Sequence, residues 1–87
     1  MPSPSPDTPP DPPPDWSCVD ARGHRCPVPS LRLRRALAQD AVAGVRLFAD
    51  DPMAQIDVPH FCNQNNYVLS AVHALDVGWA FDVRKPL

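Results

Sequence analysis

Alternating apolar and polar positions predict four β-strands in the chain. The segments with strand composition are 16–21, 45–49, 67–75 and 79–85. Residues 76–78 end in glycine and separate the last two segments, which predicts a hairpin turn. In the last strand the larger apolar side chains share one face and the other residues share the opposite face: Trp79, Phe81 and Val83 against Ala80, Asp82 and Arg84.

Apolar residues at helical spacing predict a first helix from about Pro29 to Val42. Proline is tolerated in a first helical turn, because the N–H that it lacks has no partner within the helix. Gly44 is predicted to be the C-terminal cap. The apolar stripe consists of Leu33, Ala36, Leu37 and Ala41.

A second helix is predicted to begin at Asp51 as the N-cap, with Pro52 in the first helical position. A kink or restart is expected at Val58-Pro59, because proline removes a helical hydrogen bond. The two asparagines at 65 and 66 predict its end. Two stripes are expected along this helix: Ile56, His60 and Asn63 on one side, and Met53, Phe61 and Gln64 on another.

The order of these elements, βαβαββ, predicts an α/β two-layer sandwich. Its simplest closure is a mixed four-stranded sheet with two helices on one face. The folded domain is predicted to span residues 15–87. So small a domain has little room for a deep pocket, and we expect its functional residues on an exposed rim.

The first 14 residues hold eight of the 13 prolines and are predicted to form a disordered, proline-rich tail. This start lacks the basic residues and the apolar run of a signal peptide. No segment reaches the roughly 20 apolar residues of a membrane span. We therefore expect a cytoplasmic, monomeric protein without a membrane partner.

Charge is balanced within residues 15–87, which contain eight aspartates and eight lysines or arginines. A nucleic-acid-binding domain of this size is typically basic, so direct binding of nucleic acid is not expected. All ten acidic residues of the chain are aspartates. Because aspartate favours caps over helix interiors, several are expected at the ends of elements.

Cys26 is the strongest candidate for chemistry, in the segment RGHRCPVPSL. Pro27 and Pro29 place it at or just before the start of the first helix. The positive end of a helix lowers the pKa of a nearby thiol. Three further residues of the turn can add positive charge: Arg22, His24 and Arg25. A reactive thiolate is one interpretation, and a structural cysteine in a rigid turn is the other.

The odd number of cysteines argues against a disulfide framework. Cys62, next to Phe61 in the second helix, is expected to be a buried small apolar residue, with a second reactive thiol as the alternative. Cys18 is assigned to a sheet face or an edge. His73 is expected to be packed or to lie on a sheet face. No C-x-x-C pair occurs, so a metal site is disfavoured.

Two separated motifs resemble the TusA (SirA-like) family of small sulfur carriers. The first is a Cys-Pro-x-Pro motif at the start of a helix, which follows a strand ending in Asp-Ala and a glycine turn. The second lies at the start of the second helix. The matching residues are Val19, Asp20, Ala21, Gly23, Arg25, Cys26, Pro27 and Pro29, then Asp50, Asp51, Pro52, Asp57, Pro59, Phe61 and Cys62.

The resemblance implies the same βαβαββ fold and a sulfurtransferase activity without a cofactor. It implies that Cys26 accepts sulfane sulfur as a persulfide from a cysteine desulfurase and passes it to an acceptor protein. Such relays serve tRNA thiolation, molybdenum-cofactor synthesis or sulfur metabolism. Val28 and His24 depart from the usual residues of the motif, at positions that face partners. A non-catalytic interaction module, with the proline-rich tail as a docking peptide, is the alternative.

Overall fold

The computed structural model describes residues 11–86 and contains six elements. Residues 1–10, which belong to the predicted proline-rich tail, lie outside this range. None of the helices in the described range is long and apolar enough to cross a membrane. The elements are β1 (Trp16–Asp20), α1 (Val28–Leu37), β2 (Gly44–Ala49), α2 (Ala54–Asn65), β3 (Val68–Ala74) and β4 (Trp79–Arg84).

The four strands form one mixed sheet in the order β1-β2-β4-β3. β1 pairs in parallel with β2, so that Trp16 lies opposite Gly44. β4 lies between β2 and β3 and is antiparallel to both. The predicted α/β sandwich with a mixed four-stranded sheet is therefore confirmed. Gly78 closes the β3–β4 hairpin with a positive φ of 84°, and Leu75 N–H donates to its carbonyl over 3.0 Å.

Both helices contribute to one apolar core against a single face of the sheet. Burying an aliphatic or phenylalanine side chain of this kind contributes roughly 1.5–3 kcal/mol. Half-buried residues extend the core at its edges, among them Val42, Leu69 and Trp79. The core residues are Ala21, Leu33, Leu37, Val45, Leu47, Ala49, Ala54, Val58, Cys62, Phe81 and Val83.

Helix α1 ends five residues earlier than the sequence predicts. It stops at Leu37 rather than Val42, and Ala41 is exposed outside it. The ten residues of α1 span about 15 Å at the usual rise of an α-helix, close to the length of β1. A longer helix would overshoot the start of β2, which must lie beside the start of β1.

Gly44 is the first residue of β2 and not the predicted helix cap. A Cβ atom at this position would lie 2.5 Å from the Trp16 ring. Glycine is therefore required because the indole packs directly on the backbone. This contact fixes the position at which β1 and β2 begin to pair.

Helix α2 begins at Ala54, with Met53 as its N-cap, so both the cap and the first helical residue lie two residues later than the sequence predicts. A restart at Val58-Pro59, one of the two predicted forms, does not occur, because the helix runs through this proline to Asn65. Its predicted end is confirmed: Asn66 adopts a left-handed conformation with a φ of 61°.

The buried stripe of α2 is not one of the two that the sequence predicts. Its three buried residues are small or β-branched: Ala54, Val58 and Cys62. Ile56 is 63% exposed and Met53 is 48% exposed. Small side chains at spacings of four let the helix axis approach the sheet, whereas the larger residues turn outward. Phe61 is half-buried and stacks on Tyr67, with ring centroids 5.7 Å apart.

Strand β4 is buried on both faces, which the predicted alternation does not anticipate. On the face away from the helices, Asp82 accepts hydrogen bonds from Arg46 Nε (2.7 Å) and Nη2 (3.0 Å). His73 Nε2 lies 3.0 Å from the other side of the same carboxylate. Burial opposes ionisation of Asp82, but hydrogen bonds from Arg46 and His73 outweigh it and lower the pKa of the carboxyl. His73 thus lies on a sheet face, as expected.

Replacing Asp82 with Asn is expected to destabilise the fold by roughly 3 kcal/mol, because a buried guanidinium loses its carboxylate. The matched control is Asp20→Asn, which removes the exposed ion pair with Arg22 and should cost less than about 1 kcal/mol. Urea denaturation monitored by circular dichroism measures both changes. Equal effects of the two substitutions would show that the buried pair adds no particular stability.

Candidate functional site

Cys26 lies in the loop between β1 and α1, directly before the first helical turn. Pro27 is the N-cap of α1, and Pro29 occupies the second helical position. The helix begins at Val28, one residue before the predicted start. Val28 N–H donates to the carbonyl of Arg25 over 3.0 Å, and the Cys26-Pro27 peptide bond is cis. The two prolines therefore hold Cys26 at a fixed point beside the N-terminus of the helix.

The carboxylate of Asp51 ties this loop to the start of α2. It accepts from Cys26 N–H at 2.8 Å with one oxygen, and from Met53 N–H at 3.1 Å with the other. These two backbone hydrogen bonds lower the pKa of Asp51, so that it stays ionised at neutral pH. The sequence analysis expects Asp51 to cap α2 but misses its contact with the thiol-bearing loop.

The neighbouring Asp50 holds the turn that precedes Cys26. Its carboxylate accepts from Gly23 N–H at 2.9 Å. Gly23 has a positive φ of 85°, and a Cβ atom there would meet nothing within 4 Å. Glycine is therefore favoured by backbone conformation and not by lack of space. The adjacent carboxylates of Asp50 and Asp51 thus bind two successive backbone N–H groups of the same loop, those of Gly23 and Cys26.

The Cys26 thiol faces two carboxylates, which changes its predicted chemistry. Burial raises the pKa of the thiol to about 12, together with hydrogen bonds and negative charge from Asp57 and Asp51. The sequence-based expectation of a lowered pKa is wrong, because burial and these acids outweigh the helix N-terminus. At pH 7 the protonated form is therefore favoured over the thiolate. The resting group is a protonated thiol.

The basic residues of the turn do not counteract the effect of the carboxylates on the Cys26 thiol. Arg22 forms a two-pronged contact with Asp20, at 2.9 Å from Nε and 2.8 Å from Nη2. Its guanidinium also lies 5.3 Å from the centre of the Phe48 ring. His24 and Arg25 are exposed at the tip of the turn. Arg22 therefore stabilises the turn, while His24 and Arg25 remain accessible to a partner.

Exposed apolar side chains surround the loop on both helices. Val28 and Leu31 belong to the first turn of α1, and Met53 and Ile56 flank the start of α2. An open groove of about 450 Å³ runs between the helices, with Leu31 and Phe61 in its wall. Sequence reasoning misses this apolar rim, because each residue is isolated in its own segment and the residues meet only in the fold.

The other two cysteines lie in different environments. Cys62 is buried in the core, as expected, and burial raises the pKa of its thiol to about 11. Cys18 is exposed, with its side chain on the sheet face away from the helices. All three cysteines are free. Among the described residues no group of three His, Cys, Asp or Glu side chains has the arrangement of a metal site.

The two motifs of the sequence analysis meet at one point of the structure. The loop that carries Cys26 is held by Asp50 and Asp51, and its thiol contacts Asp57. A family model for the sulfurtransferase TusA matches residues 18–85, most of the chain. This chain belongs to the TusA family. Sulfurtransferase activity is the general property that the name of this family carries.

The pKa of Cys26 predicts a steep pH dependence of its reactivity. In a Cys18→Ser background, which removes the exposed thiol, alkylation by iodoacetamide should be far slower at pH 7 than for a cysteine peptide. It should rise about tenfold per pH unit up to pH 10, because only the thiolate reacts. Intact mass spectrometry measures the rate. A rate that levels off below pH 8 would contradict the raised pKa.

Replacing Asp57 with Asn should accelerate alkylation at pH 7 by roughly tenfold, since it removes one of the charges that oppose the thiolate. Asp40→Asn is the matched control, because Asp40 is exposed in the turn after α1. It should leave the rate unchanged. Equal rates for the two variants would show that Asp57 does not set the pKa of the thiol.

Proposed function

We propose that this TusA-family protein is a sulfur carrier whose carrier atom is the Sγ of Cys26. A cysteine desulfurase supplies sulfane sulfur, and an acceptor cysteine on another protein receives it. The observation that carries the proposal is the convergence of both family motifs on this one thiol, at the rim of the domain. Pro27 and Pro29 fix its position and take no part in bond changes.

The transfer consists of two exchange reactions at sulfur. In the first, the Cys26 thiolate attacks the outer sulfur of a donor persulfide, so that a new S–S bond forms and the donor leaves as a thiolate. In the second, an acceptor thiolate attacks the outer sulfur of the Cys26 persulfide, and Cys26 leaves as a thiolate. Each step replaces one S–S bond with another and consumes no oxidant, so docking sets the direction.

Because the pKa of Cys26 is raised, we propose that the partners help to remove and return the proton of its thiol. A thiol of high pKa is a strong nucleophile once ionised, but its ionised fraction is small. Its proton must therefore pass to a base that the docked donor supplies. In the second step, high basicity makes Cys26 a poor leaving group, so the departing sulfur has to be protonated. Between encounters the protonated thiol is protected against adventitious oxidation.

The shape of the site suits two partners in turn. Cys26 is half-buried in its loop, and Val28, Leu31, Met53 and Ile56 at the starts of the two helices are exposed and can pack against a second protein. His24 and Arg25 are accessible beside it. We propose acceptors in tRNA thiolation, molybdenum-cofactor synthesis or sulfur metabolism in the cytoplasm, with the carrier acting as a monomer.

A non-catalytic interaction module is the second candidate. The observation in its favour is the protonated state of Cys26, because a dedicated nucleophile commonly has a lowered pKa. In that case the rim would bind a partner without covalent change, and the thiol would serve only as part of the loop.

Incubation with a cysteine desulfurase and cysteine is expected to add one sulfur atom to the protein. The gain should disappear in Cys26→Ser and persist in Cys18→Ser, which serves as the matched control for an exposed thiol. Intact mass spectrometry under non-reducing conditions measures it. A gain that persists in Cys26→Ser would place the carrier elsewhere. Absence of any gain, with the fold intact, would favour the interaction module.

A further inference from the structure

Strand β1 has an outer edge that no described strand covers, because it is the first strand in the order β1-β2-β4-β3. Two hydrogen bonds show which groups face outward. Ala21 N–H donates to Phe48 O of β2 over 2.8 Å. The backbone N–H and C=O groups of the odd-numbered residues of β1 therefore point toward β2. Asp20 O accepts instead from the Arg32 side chain at 2.7 Å. The N–H and C=O of Cys18 therefore point away from the sheet.

An open groove of about 410 Å³ runs between this edge and helix α1. Val19 of β1 and Val28, Leu31 and Ala36 of α1 supply its apolar surface. Val28 is 36% exposed and Leu31 is 55% exposed. The polar lining consists of Arg32, Arg35 and Gln39. We call this feature, with the outer edge of β1, the β1 groove.

Charge in the fold is segregated although it is balanced along the sequence. The ten residues of α1, VPSLRLRRAL, contain three arginines and no acid. The acids nearest the thiol gather instead on the segment that leads into α2 and on its first turn: Asp50, Asp51 and Asp57. The wall of the β1 groove is therefore positive, and it favours a ligand with carboxylate side chains.

We propose that the β1 groove binds an extended, acidic segment of a partner protein by strand addition to β1. Main-chain hydrogen bonds to Cys18 hold the segment, and the side chains of alternate residues, some apolar and some acidic, enter the groove from one face of the segment. Its acidic side chains pair with Arg32 and Arg35. This docking surface goes beyond the sulfur relay and does not require it, because none of its groups is the Cys26 thiol.

The position of the groove connects it to the candidate site. Val28 lines one end of the groove and lies two residues from Cys26. A partner segment bound along β1 therefore runs toward the thiol. The second groove, which contains Arg34 and Phe61, adjoins the β1 groove at Leu31 and lies between α1 and α2.

Two other occupants fit less well. Residues 1–14 contain eight prolines, which lack the N–H groups that strand addition uses. In a symmetric dimer formed through β1, two arginine-rich α1 helices would lie on adjoining surfaces and repel each other. An acidic segment from a different protein meets neither obstacle.

The test uses the full chain and a fluorescent synthetic peptide of eight residues in which threonine alternates with valine or glutamate, so that the valines and glutamates share one face. Fluorescence polarisation measures binding, and NMR reports the Cys18 amide. We expect binding that weakens with added salt, with a shift and slower hydrogen exchange of the Cys18 amide. Arg35→Glu should weaken binding about tenfold. Arg34→Glu, the matched charge reversal in the second groove, should change it less than about threefold.

Two further peptides test the strand geometry. N-methylation of the threonines and N-methylation of the valines and glutamates each remove one of the two alternating sets of N–H groups. One of these peptides should lose binding and the other should keep it, because only one set can face β1. Cys26→Ser should bind like the unmodified chain, so this test can succeed even where the sulfur relay fails.

Several results would overturn the proposal. Equal weakening by Arg35→Glu and Arg34→Glu, or equal binding of both N-methylated peptides, would indicate unspecific attraction. Slow exchange of the Cys18 amide in the chain without peptide would assign the edge to the protein's own tail. Slower exchange of the Cys18 amide at higher protein concentration, together with a dimer in sedimentation, would show that a second copy of the chain covers the edge of β1.

Discussion

The carboxylate of Asp51 joins the two motif-bearing halves of the structure at one point. One of its oxygens accepts from the backbone of Cys26 and the other from the backbone of Met53, at 2.8 and 3.1 Å. The first contact positions the loop before α1, and the second positions the entrance to α2. Because α2 then carries Asp57 toward the thiol, the environment of Cys26 follows from this bridge. Hydrogen bonds from these amides also keep Asp51 ionised, so the bridge persists at neutral pH.

The chemical consequence is a half-buried thiol whose raised pKa favours the protonated form. Sulfur carriers need a nucleophile at the moment of docking and an unreactive group at all other times. Burial and two carboxylates raise the pKa of Cys26, whereas Cys18 is exposed. In the relay that we propose, selectivity for Cys26 therefore comes from partner recognition and not from a lowered pKa. The apolar rim formed by Val28, Leu31, Met53 and Ile56 supplies a surface for that recognition.

Local patterns in the sequence predict the element order and most strand positions, because alternation and turn residues report short-range constraints. The end of α1 was missed because it depends on the length of β1 and on the contact between Trp16 and Gly44, which are distant in sequence. The buried stripe of α2 was missed because larger residues such as Ile56 dominate a hydrophobic pattern, while close packing selected Ala54 and Cys62. At the site, the identity of the loop residues was predictable from motifs. The sign of the pKa shift was not, since Asp57 lies 31 positions from Cys26 along the chain.

The separation of charge in the fold has a consequence for how this protein meets others. Helix α1 carries three arginines and no acid, whereas Asp50, Asp51 and Asp57 lie on the segment that leads into α2 and on its first turn. Such a molecule has an electric dipole even where its net charge is small. In the field of a charged partner it would rotate before contact, so that a larger share of collisions presents the same edge. The rate of productive association would then fall as ionic strength rises, with little change in the geometry of the final complex.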